Sequence, residues 1–196
     1  PYTSSAQVFP VIDANYTGTV VTFDQGEDSD CELSGFVLTR GSGINAGAIL
    51  CDGASPRISH CLIVGNHCDD TNSVTLYCRN SDSIFDHCTI SGNYGGAAGA
   101  AIRFVDSNAV ISNSIVTGNL PEQIIVEHGN EPLVRYSNIE GLWPDGIGNI
   151  DTDPNFVMEG QWTDSLWIDG DYHLASKGRH WDPILMKWVI DPFTSP

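Results

Sequence analysis

The sequence predicts an all-β fold, a parallel β-helix of about five to six coils with three strands per coil. Its central motif, CLIVGN at 61–66, returns as CTISGN at 88–93 and as SIVTGN at 114–119. These copies and weaker ones recur every 23 to 27 residues, a period typical of solenoids in which each repeat contacts only its neighbours. Each repeat also holds three short apolar runs bounded by Gly, Asn, Asp or Ser, which indicates three strands per turn.

Three columns of residues keep register along the repeats and predict the core. The first follows the motif: Ile12, Leu38, Ile63, Ile90, Val116 and Ile139. The second lies five residues earlier: Leu33, Ile58, Phe85, Ile111 and Val134. The third lies twelve residues before the first: Cys51, Cys78, Phe104 and Glu127. Glu127 is the exception to apolar character, and the nearby Pro121 and Pro132 together with the shortened period favour an opening of the last coil.

An asparagine column follows the glycine of the motif. Its members are Asn15, Asn66, Asn93 and Asn119, with Gly41 in the second coil. Gly and Asn tolerate a left-handed backbone best, so we expect that conformation at this position. Asparagines stacked about 4.8 Å apart can also bond their amides from coil to coil. The column predicts a structural ladder rather than a ligand site.

The six cysteines do not form a dense disulfide framework. Two pairs lie one coil apart, Cys51 with Cys78 and Cys61 with Cys88, close enough for a bridge. Since in-register neighbours on parallel strands point the same way, we expect stacked thiols instead. Cys31 and Cys68 lie in loops and are the better candidates for a mutual or intermolecular disulfide in an oxidising compartment.

Histidines precede three of the six cysteines, at His60, His67 and His87, and raise the question of zinc. Adjacent residues of a strand face opposite sides. His60 and His87 should therefore stack outside while Cys61 and Cys88 stack inside, which argues against a Cys–His metal site.

Length and charge bound the organisation and the partners. At 196 residues we expect one domain, with coils over 1–141 and an aromatic-rich capping segment over 142–196 packed on the solenoid. A net charge of −17 with 8 Lys+Arg argues against nucleic acid and anionic membranes as partners. No apolar run reaches the length of a membrane span, about 18 residues, so we expect no insertion.

An acidic stretch is the candidate metal site. Asp24, Glu27, Asp28 and Asp30 bring hard oxygen ligands close together, as calcium prefers. Their spacing follows neither an EF-hand nor the nonapeptide repeat of calcium-binding β-rolls. The alternative is a charged loop that keeps the end of the solenoid from pairing with other strands. No cofactor is required by the sequence, and calcium is the one candidate.

A second candidate site lies on the outer face of the first strand of each repeat. Alternation places Ile49, Leu76, Ile102 and Ile125 inward and leaves Leu50, Tyr77, Arg103 and Val126 outward. Tyr77 beside Arg103 offers an aromatic platform next to a cation, as a sugar-binding or catalytic face would. The alternative is a surface stacking pair.

The combination of motifs resembles a known class of proteins. The segment GTVVTFDQGEDSDCELSGFVLTRG, the iterated C/S-x-I-x-G-N coils and the tail NIDTDPNF, GDYHLASKGRHWDP and WVIDPFTSP are similar to secreted right-handed parallel β-helix repeat proteins of planctomycetes and related environmental bacteria. The resemblance implies right-handed coils, a pectate-lyase-like fold and location outside the cell or on its surface. In such proteins the chain continues beyond TSP, so we expect a piece of a longer polypeptide.

Two functions follow as expectations. The first is a non-catalytic extracellular structural, adhesive or surface-binding domain whose partner is a glycan or a second copy stacked end to end, because terminal coils expose unpaired strand backbone. The alternative is a carbohydrate-active enzyme acting on an acidic glycan through Arg103 and Tyr77. A lyase is favoured over a hydrolase, since the G-H-G and R-I-K motifs of polygalacturonases are missing from the sequence. The predicted outer column of Arg103 holds no carboxylate, which favours the non-catalytic function.

Overall fold

The protein is a parallel β-solenoid of about five turns, with three sheets per coil. The computed structural model describes residues 9–68, 70, 73–96, 99–143, 145–164, 166–174, 179–182 and 186–190. Within these ranges, the structure contains no helix long and apolar enough to cross a membrane.

Each turn of the chain passes through three parallel sheets, which we call C, A and B in the order in which the chain meets them. Sheet A consists of β1 (Val11–Asp13), β4 (Val37–Thr39), β7 (Leu62–Val64), β11 (Thr89–Ser91), β15 (Ile115–Thr117) and β18 (Asn138–Ile139). Sheet B consists of β2 (Val21–Phe23), β5 (Ala46–Asp52), β9 (Val74–Arg79), β13 (Ile102–Ser107) and β16 (Ile124–Gly129). Sheet C consists of β3 (Glu32–Ser34), β6 (Arg57–Ser59), β10 (Ile84–Asp86), β14 (Val110–Ser112) and β17 (Leu133–Arg135). Between sheets A and B, β8 (His67–Cys68) pairs with β12 (Tyr94–Gly95).

The core is built from the apolar columns, and two of the three predicted columns are confirmed. In sheet A, Leu38 pairs with Ile12 and Ile63, and the same register continues to Ile139. In sheet C the register runs from Leu33 through Ile58 to Val134. Most of these side chains are fully buried. Each rung, by which we mean one turn of the solenoid, therefore buries its apolar side chains against those of the turn before it.

The third column is wrong by one residue in the last coil. Phe104 pairs with Val126, whereas Glu127 pairs with Val105 and is exposed. By the same shift, Ile124 continues the inner position of Ile102. The coil does not open. Instead, its connection from sheet B to sheet C is one residue longer than in the three preceding coils, and the half-buried Val126 takes the inner position because burying an unpaired charge there is costly.

The corner between sheets C and A is formed by one left-handed residue in every turn. Its members have φ between 51° and 76°: Gly35, His60, His87, Asn113 and Tyr136. A left-handed residue reverses the local course of the chain in a single step, which lets two flat three-residue strands meet at a sharp angle. Three of these residues are His or Tyr, which are not typical turn residues, so the sequence does not indicate a turn at this position.

Sheet A ends at a second left-handed position, and here the sequence prediction needs correction. The left-handed residues are Arg40, Gly65, Gly92, Gly118 and Gly141, not the asparagines that follow the glycines. In the first coil Asn15 and Tyr16 are left-handed, at φ 48° and 58°. The asparagine is therefore selected for its amide and the glycine for its backbone.

The buried asparagines form a continuous hydrogen-bonded ladder. Asn66 Nδ2 donates to Asn93 Oδ1 at 3.0 Å, and Asn93 Nδ2 donates to Asn119 Oδ1 at 2.9 Å. The same amides accept from backbone N–H groups and donate to carbonyls of the preceding rung, as Asn93 Nδ2 does to Ile63 O at 2.9 Å. Asn15 is exposed and lies outside this ladder, because its coil adopts the left-handed conformation one residue later, at Asn15 itself.

The first residue of the motif also has a structural role. Cys61, Cys88, Ser114 and Ser137 share one column. Ser114 Oγ donates to Ser112 O at 2.7 Å, and Cys61 Sγ donates to Ser59 O at 3.3 Å, in each case across the left-handed corner. Thiol and hydroxyl thus make the same bond, and burial raises the pKa of Cys88 to about 12. This thiol stays protonated at neutral pH.

All six cysteines are free thiols. Cys51 pairs with Cys78 in register, and the Cys51 thiol and burial together hold the pKa of Cys78 well above its ordinary value. The expected bridge between Cys31 and Cys68 is not formed. Cys68 lies in the strand β8 rather than in a loop, and its buried Sγ donates to Val74 O at 3.1 Å. Burial also shields it from a partner chain.

Residues 146–150 cover the last rung. The N–H of Ile139 donates to Ile150 O at 3.0 Å, and the N–H of Ile150 donates to Ser137 O at 2.9 Å, which adds a parallel bridge to sheet A. Asn149 Nδ2 donates to Val134 O at 3.0 Å at the edge of sheet C. These backbone groups at the edges of sheets A and C are therefore satisfied within the chain.

The rest of the C-terminal segment forms three antiparallel pairs. They are β19 (Phe156–Met158) with β22 (Asp171–Leu174), β20 (Gln161–Thr163) with β21 (Leu166–Ile168), and β23 (Arg179–Asp182) with β24 (Lys187–Ile190). The capping segment expected over 142–196 extends beyond the described residues at 183–185 and 191–196.

The ladder makes a prediction about stability. Asn93→Ala removes an amide that bonds to both neighbouring rungs and leaves buried partners unpaired, so we expect a loss of about 2–4 kcal/mol in the free energy of unfolding. Asn15→Gly, in the same predicted column but exposed, removes an amide outside the ladder without left-handed strain and should change it by less than about 0.5 kcal/mol. Urea unfolding followed by circular dichroism measures both, and equal losses would contradict the ladder.

Candidate functional site

Tyr77 and Arg103, the predicted surface pair, are neighbours on the outer face of sheet B. The Arg103 side chain is 13% exposed, and its Nε lies 3.6 Å from Glu127 Oε1. The carboxylate partner was missed in the sequence because Glu127 was assigned to the inner column. The polarity of Glu127 beside the apolar Val126 was the signal that could have corrected the register.

Ion pairs between neighbouring rungs recur on all three sheets. Arg79 Nη2 lies 2.5 Å from Asp52 Oδ2, and Arg57 Nη2 lies 2.6 Å from Asp86 Oδ2. Arg40 forms a two-point contact with Asp13. The hydrogen bonds from Arg79 and Arg40 lower the pKa values of Asp52 and Asp13. These arginines are held by carboxylates of the same chain and tie one rung to the next.

The acidic stretch forms local turns. Glu27 Oε2 accepts from the N–H of Gln25 at 2.9 Å, and Asp28 Oδ1 accepts from the N–H of Asp30 at 3.0 Å. Asp24 and these carboxylates are in an outer loop. In the described ranges, no group of three or more His, Cys, Asp or Glu side chains is arranged to hold a metal ion. Calcium binding stays a prediction from the sequence.

The antiparallel pair of β20 and β21, which we call the C-terminal hairpin, covers part of the outer face of sheet A. Trp167 is 6% exposed and lies against two glycines of consecutive rungs, where an added methyl group on Gly65 or Gly92 would come within 2.3 Å of its ring. Trp162 Nε1 donates to Gly92 O at 2.9 Å, and the N–H of Trp167 donates to Tyr16 Oη at 3.0 Å. The motif glycine therefore serves both the left-handed backbone and the docking of the hairpin.

Aromatic contacts reinforce this docking. Trp162 lies 5.3 Å from Trp167, 5.4 Å from His67 and 6.4 Å from Tyr16, measured between ring centroids. His67 also lies 4.9 Å from Tyr94 on the next rung. Tilted rings at these separations contribute beyond the area that they bury. The cluster joins the first coil, the middle coils and the tail, which no local pattern in the sequence predicts.

A groove runs between the docked tail and the corner of sheets C and A, and we call it the corner groove. One part has a volume of about 450 Å³ and is lined by Phe9, His60, Cys61, Leu62, His87, Thr89 and residues 170–173. The other part has about 320 Å³ and is lined by Asn113, Ile115, Tyr136, Asn138, Ile150, Leu174 and their neighbours. The two parts are separate cavities on successive rungs: His87 and His173 line the larger one, and Asn113 and Leu174 line the smaller one.

Three histidines face the corner groove. The rings of His60 and His87 stack with centroids 5.0 Å apart and planes within 5° of parallel, which confirms the outward stacking predicted from the sequence. The cause is the left-handed corner, since neither residue lies in a strand. Across the groove, His173 Nδ1 lies 2.6 Å from Asp171 Oδ1.

Asp86 organises the wall beneath the histidine stack. Its carboxylate accepts from Ser112 Oγ at 2.8 Å and from Asn113 Nδ2 at 2.9 Å, and it lies 3.2 Å from His87 Nδ1. Burial alone would raise the pKa of Asp86, but the hydrogen bonds from Asn113 and Ser112 and the contact with His87 lower it to about 2. The carboxylate is ionised at neutral pH and fixes the His87 ring.

No protein-family model, curated protein or solved structure matches this chain. What the fold and the site define is a class, a parallel β-solenoid whose C-terminal hairpin docks on one side wall and encloses a groove. The parallel β-solenoid predicted from the sequence is confirmed by that fold.

The docking of the hairpin can be tested with two matched glycines. Gly92 and Gly118 both have φ of 64°, so alanine at either one incurs the same left-handed strain, about 1–2 kcal/mol. Only at Gly92 does the added methyl group meet Trp167, at 2.3 Å, whereas at Gly118 the nearest atom is 3.4 Å away. Gly92→Ala should displace the hairpin and shift tryptophan emission to the red, while Gly118→Ala keeps the emission of the parent. Identical spectra would show that the hairpin does not dock there.

The network of Asp86 predicts a pH dependence. Because its folded pKa of about 2 lies below the ordinary aspartate value of 3.8, ionised Asp86 stabilises the fold above about pH 4, and this contribution is lost as the pH falls towards 2. Asp86→Asn should cost roughly 1–2 kcal/mol of unfolding free energy at pH 7 and less at pH 3. Chemical unfolding at both pH values measures the difference, and an equal cost at both would contradict the assignment.

Proposed function

We propose that this chain is a non-catalytic β-solenoid domain that binds a partner through its side walls, at the cell surface or after secretion. The observation that carries the proposal is the pairing of four arginines with carboxylates on neighbouring rungs, at Arg40, Arg57, Arg79 and Arg103. Paired charges of this kind hold rungs together and are not poised to exchange protons with a substrate.

The direction of the pKa shifts supports the same proposal. A general acid needs a carboxyl whose pKa is raised towards neutrality. The carboxyls with shifted values in the described part of the chain all shift downwards: Asp13, Asp52, Asp86 and Asp171. Among these residues, the shifts indicate structural hydrogen bonding rather than acid catalysis.

A side-wall role is favoured over end-to-end stacking. Residues 146–150 occupy the edge of the last rung, where the Ile139 N–H and the Val134 carbonyl find partners. A second copy would have to displace this segment before its first rung could pair. The resemblance to secreted β-helix proteins of the pectate-lyase-like type supports location outside the cell, as an argument from fold-level analogy.

The alternative function is a polysaccharide lyase acting on an acidic glycan at sheet B. It is favoured by one observation, the cluster of Tyr77, Arg103 and Glu127 on a single outer face. Such an enzyme abstracts a proton next to a uronate carboxyl with a basic side chain. Arg103, at 13% exposure, would have to move out of its pair with Glu127 to reach a substrate.

A polysaccharide panel separates the two functions. We expect retention on one or more insoluble polysaccharides without new reducing ends or unsaturated products, and binding that is unchanged in Arg103→Ala. The assay joins a pull-down to product analysis by absorbance and chromatography. Turnover by the parent chain that is lost in Arg103→Ala and in Glu127→Gln would overturn the proposal in favour of the lyase.

A further inference from the structure

We infer that the corner groove is the binding site and that it takes an uncharged sugar chain laid along the solenoid axis. This inference rests on the proposed binding function and names its site and its ligand class. The lining of the groove differs from the outer face of sheet B, because it consists mainly of aromatic rings, aliphatic side chains, amides and hydroxyls, with the carboxylates Asp153 and Asp171 at its side.

The first argument is the repeat of the groove. His60, His87, Asn113 and Tyr136 occupy the same left-handed position on four successive rungs, and neighbouring rungs lie about 4.8 Å apart. An extended peptide advances about 3.3 Å per residue and would fall out of step with this spacing. Sugar units of an extended pyranose chain advance by close to one rung, so successive units meet equivalent positions on the wall.

The second argument is the chemistry of the lining. Phe9 is 41% exposed and Tyr136 is 59% exposed, which offers ring surface to the apolar faces of pyranose rings. Leu62 and Thr89 form the floor of the larger part. Flat apolar surface flanked by a few placed polar groups is the usual composition of a small-molecule site.

Fixed imidazole nitrogens supply the polar groups. Asp171 Oδ1 lies 2.6 Å from His173 Nδ1, and Asp86 Oδ1 lies 3.2 Å from His87 Nδ1. A carboxylate beside Nδ1 holds that side of the ring, so Nε2 is the ring nitrogen left to contact a ligand. The two facing walls therefore present oriented ring nitrogens to hydroxyl groups of a chain between them.

The third argument is charge, and it selects an uncharged ligand. The chain carries a net charge of −17. The residues that line the two parts of the groove include the carboxylates Asp153 and Asp171 and no Lys or Arg. A uronate or sulfate group would therefore enter a negative field with no cation among the lining residues.

The experiment is titration calorimetry of the full chain with four probes: cellohexaose, β-1,4-mannohexaose, xylohexaose and hexagalacturonate. The test variant is His60→Asn/His87→Asn, because Asn113 shows that asparagine fits this corner. The control is His128→Asn, an exposed histidine with φ of 58° at another corner. His173→Ala tests the facing wall, where the side chain is 89% exposed and truncation spares the fold.

We expect at least one neutral hexaose to bind, with affinity about tenfold weaker in the double variant and in His173→Ala and unchanged in His128→Asn. Binding of hexagalacturonate alone, or of none of the four probes, overturns the ligand class. Sugar binding that survives the groove variants but is lost in Tyr77→Ala overturns the site. Turnover of any probe would instead overturn the proposed function, whichever variant is used.

Discussion

In-register stacking of three parallel sheets is the constraint on which the rest of this structure depends. A strand of three residues cannot bury its own apolar side chain, so Ile63 or Ile90 is stable only between the rungs above and below it. Because the strands stack in register, residues at equivalent positions of successive turns lie directly above one another along the solenoid axis. A buried apolar residue becomes a core column, a buried amide becomes a hydrogen-bonded ladder, and an outward carboxylate finds an arginine one rung away, as Asp52 finds Arg79.

Left-handed corners convert that stack into a shaped surface. The residue at the corner of sheets C and A must adopt positive φ, and its side chain then radiates outward. Glycine would meet the backbone requirement at least cost, yet the chain places His60, His87, Asn113 and Tyr136 there. These four strained residues line the corner groove with three aromatic rings and one amide. The geometry of the fold thereby contributes the side chains of the proposed binding site.

The C-terminal hairpin turns this surface into a groove. By docking Trp167 against Gly65 and Gly92, it covers the outer face of sheet A and brings residues 170–174 opposite the histidine stack. The charges of the other walls are used between rungs, so this groove is where ring faces and oriented polar atoms remain exposed to solvent. A negative chain with such a groove is suited to an uncharged ligand.

The sequence by itself determined the solenoid, its two regular core columns and the outward histidine stack, because these follow from a period and from side-chain type at each rung. It misplaced Glu127 and the role of Asn15, because the last connection from sheet B to sheet C is one residue longer and the first turn after sheet A comes one residue later than in the neighbouring coils. It also assigned the left-handed backbone to the asparagine of the motif rather than to the glycine, since both residue types tolerate that conformation. The sequence did not predict the docked hairpin or the groove. Trp167 meets Gly92 and Tyr16 across most of the chain, and contacts between segments so far apart are fixed by packing in three dimensions, which leaves no periodic trace in the sequence.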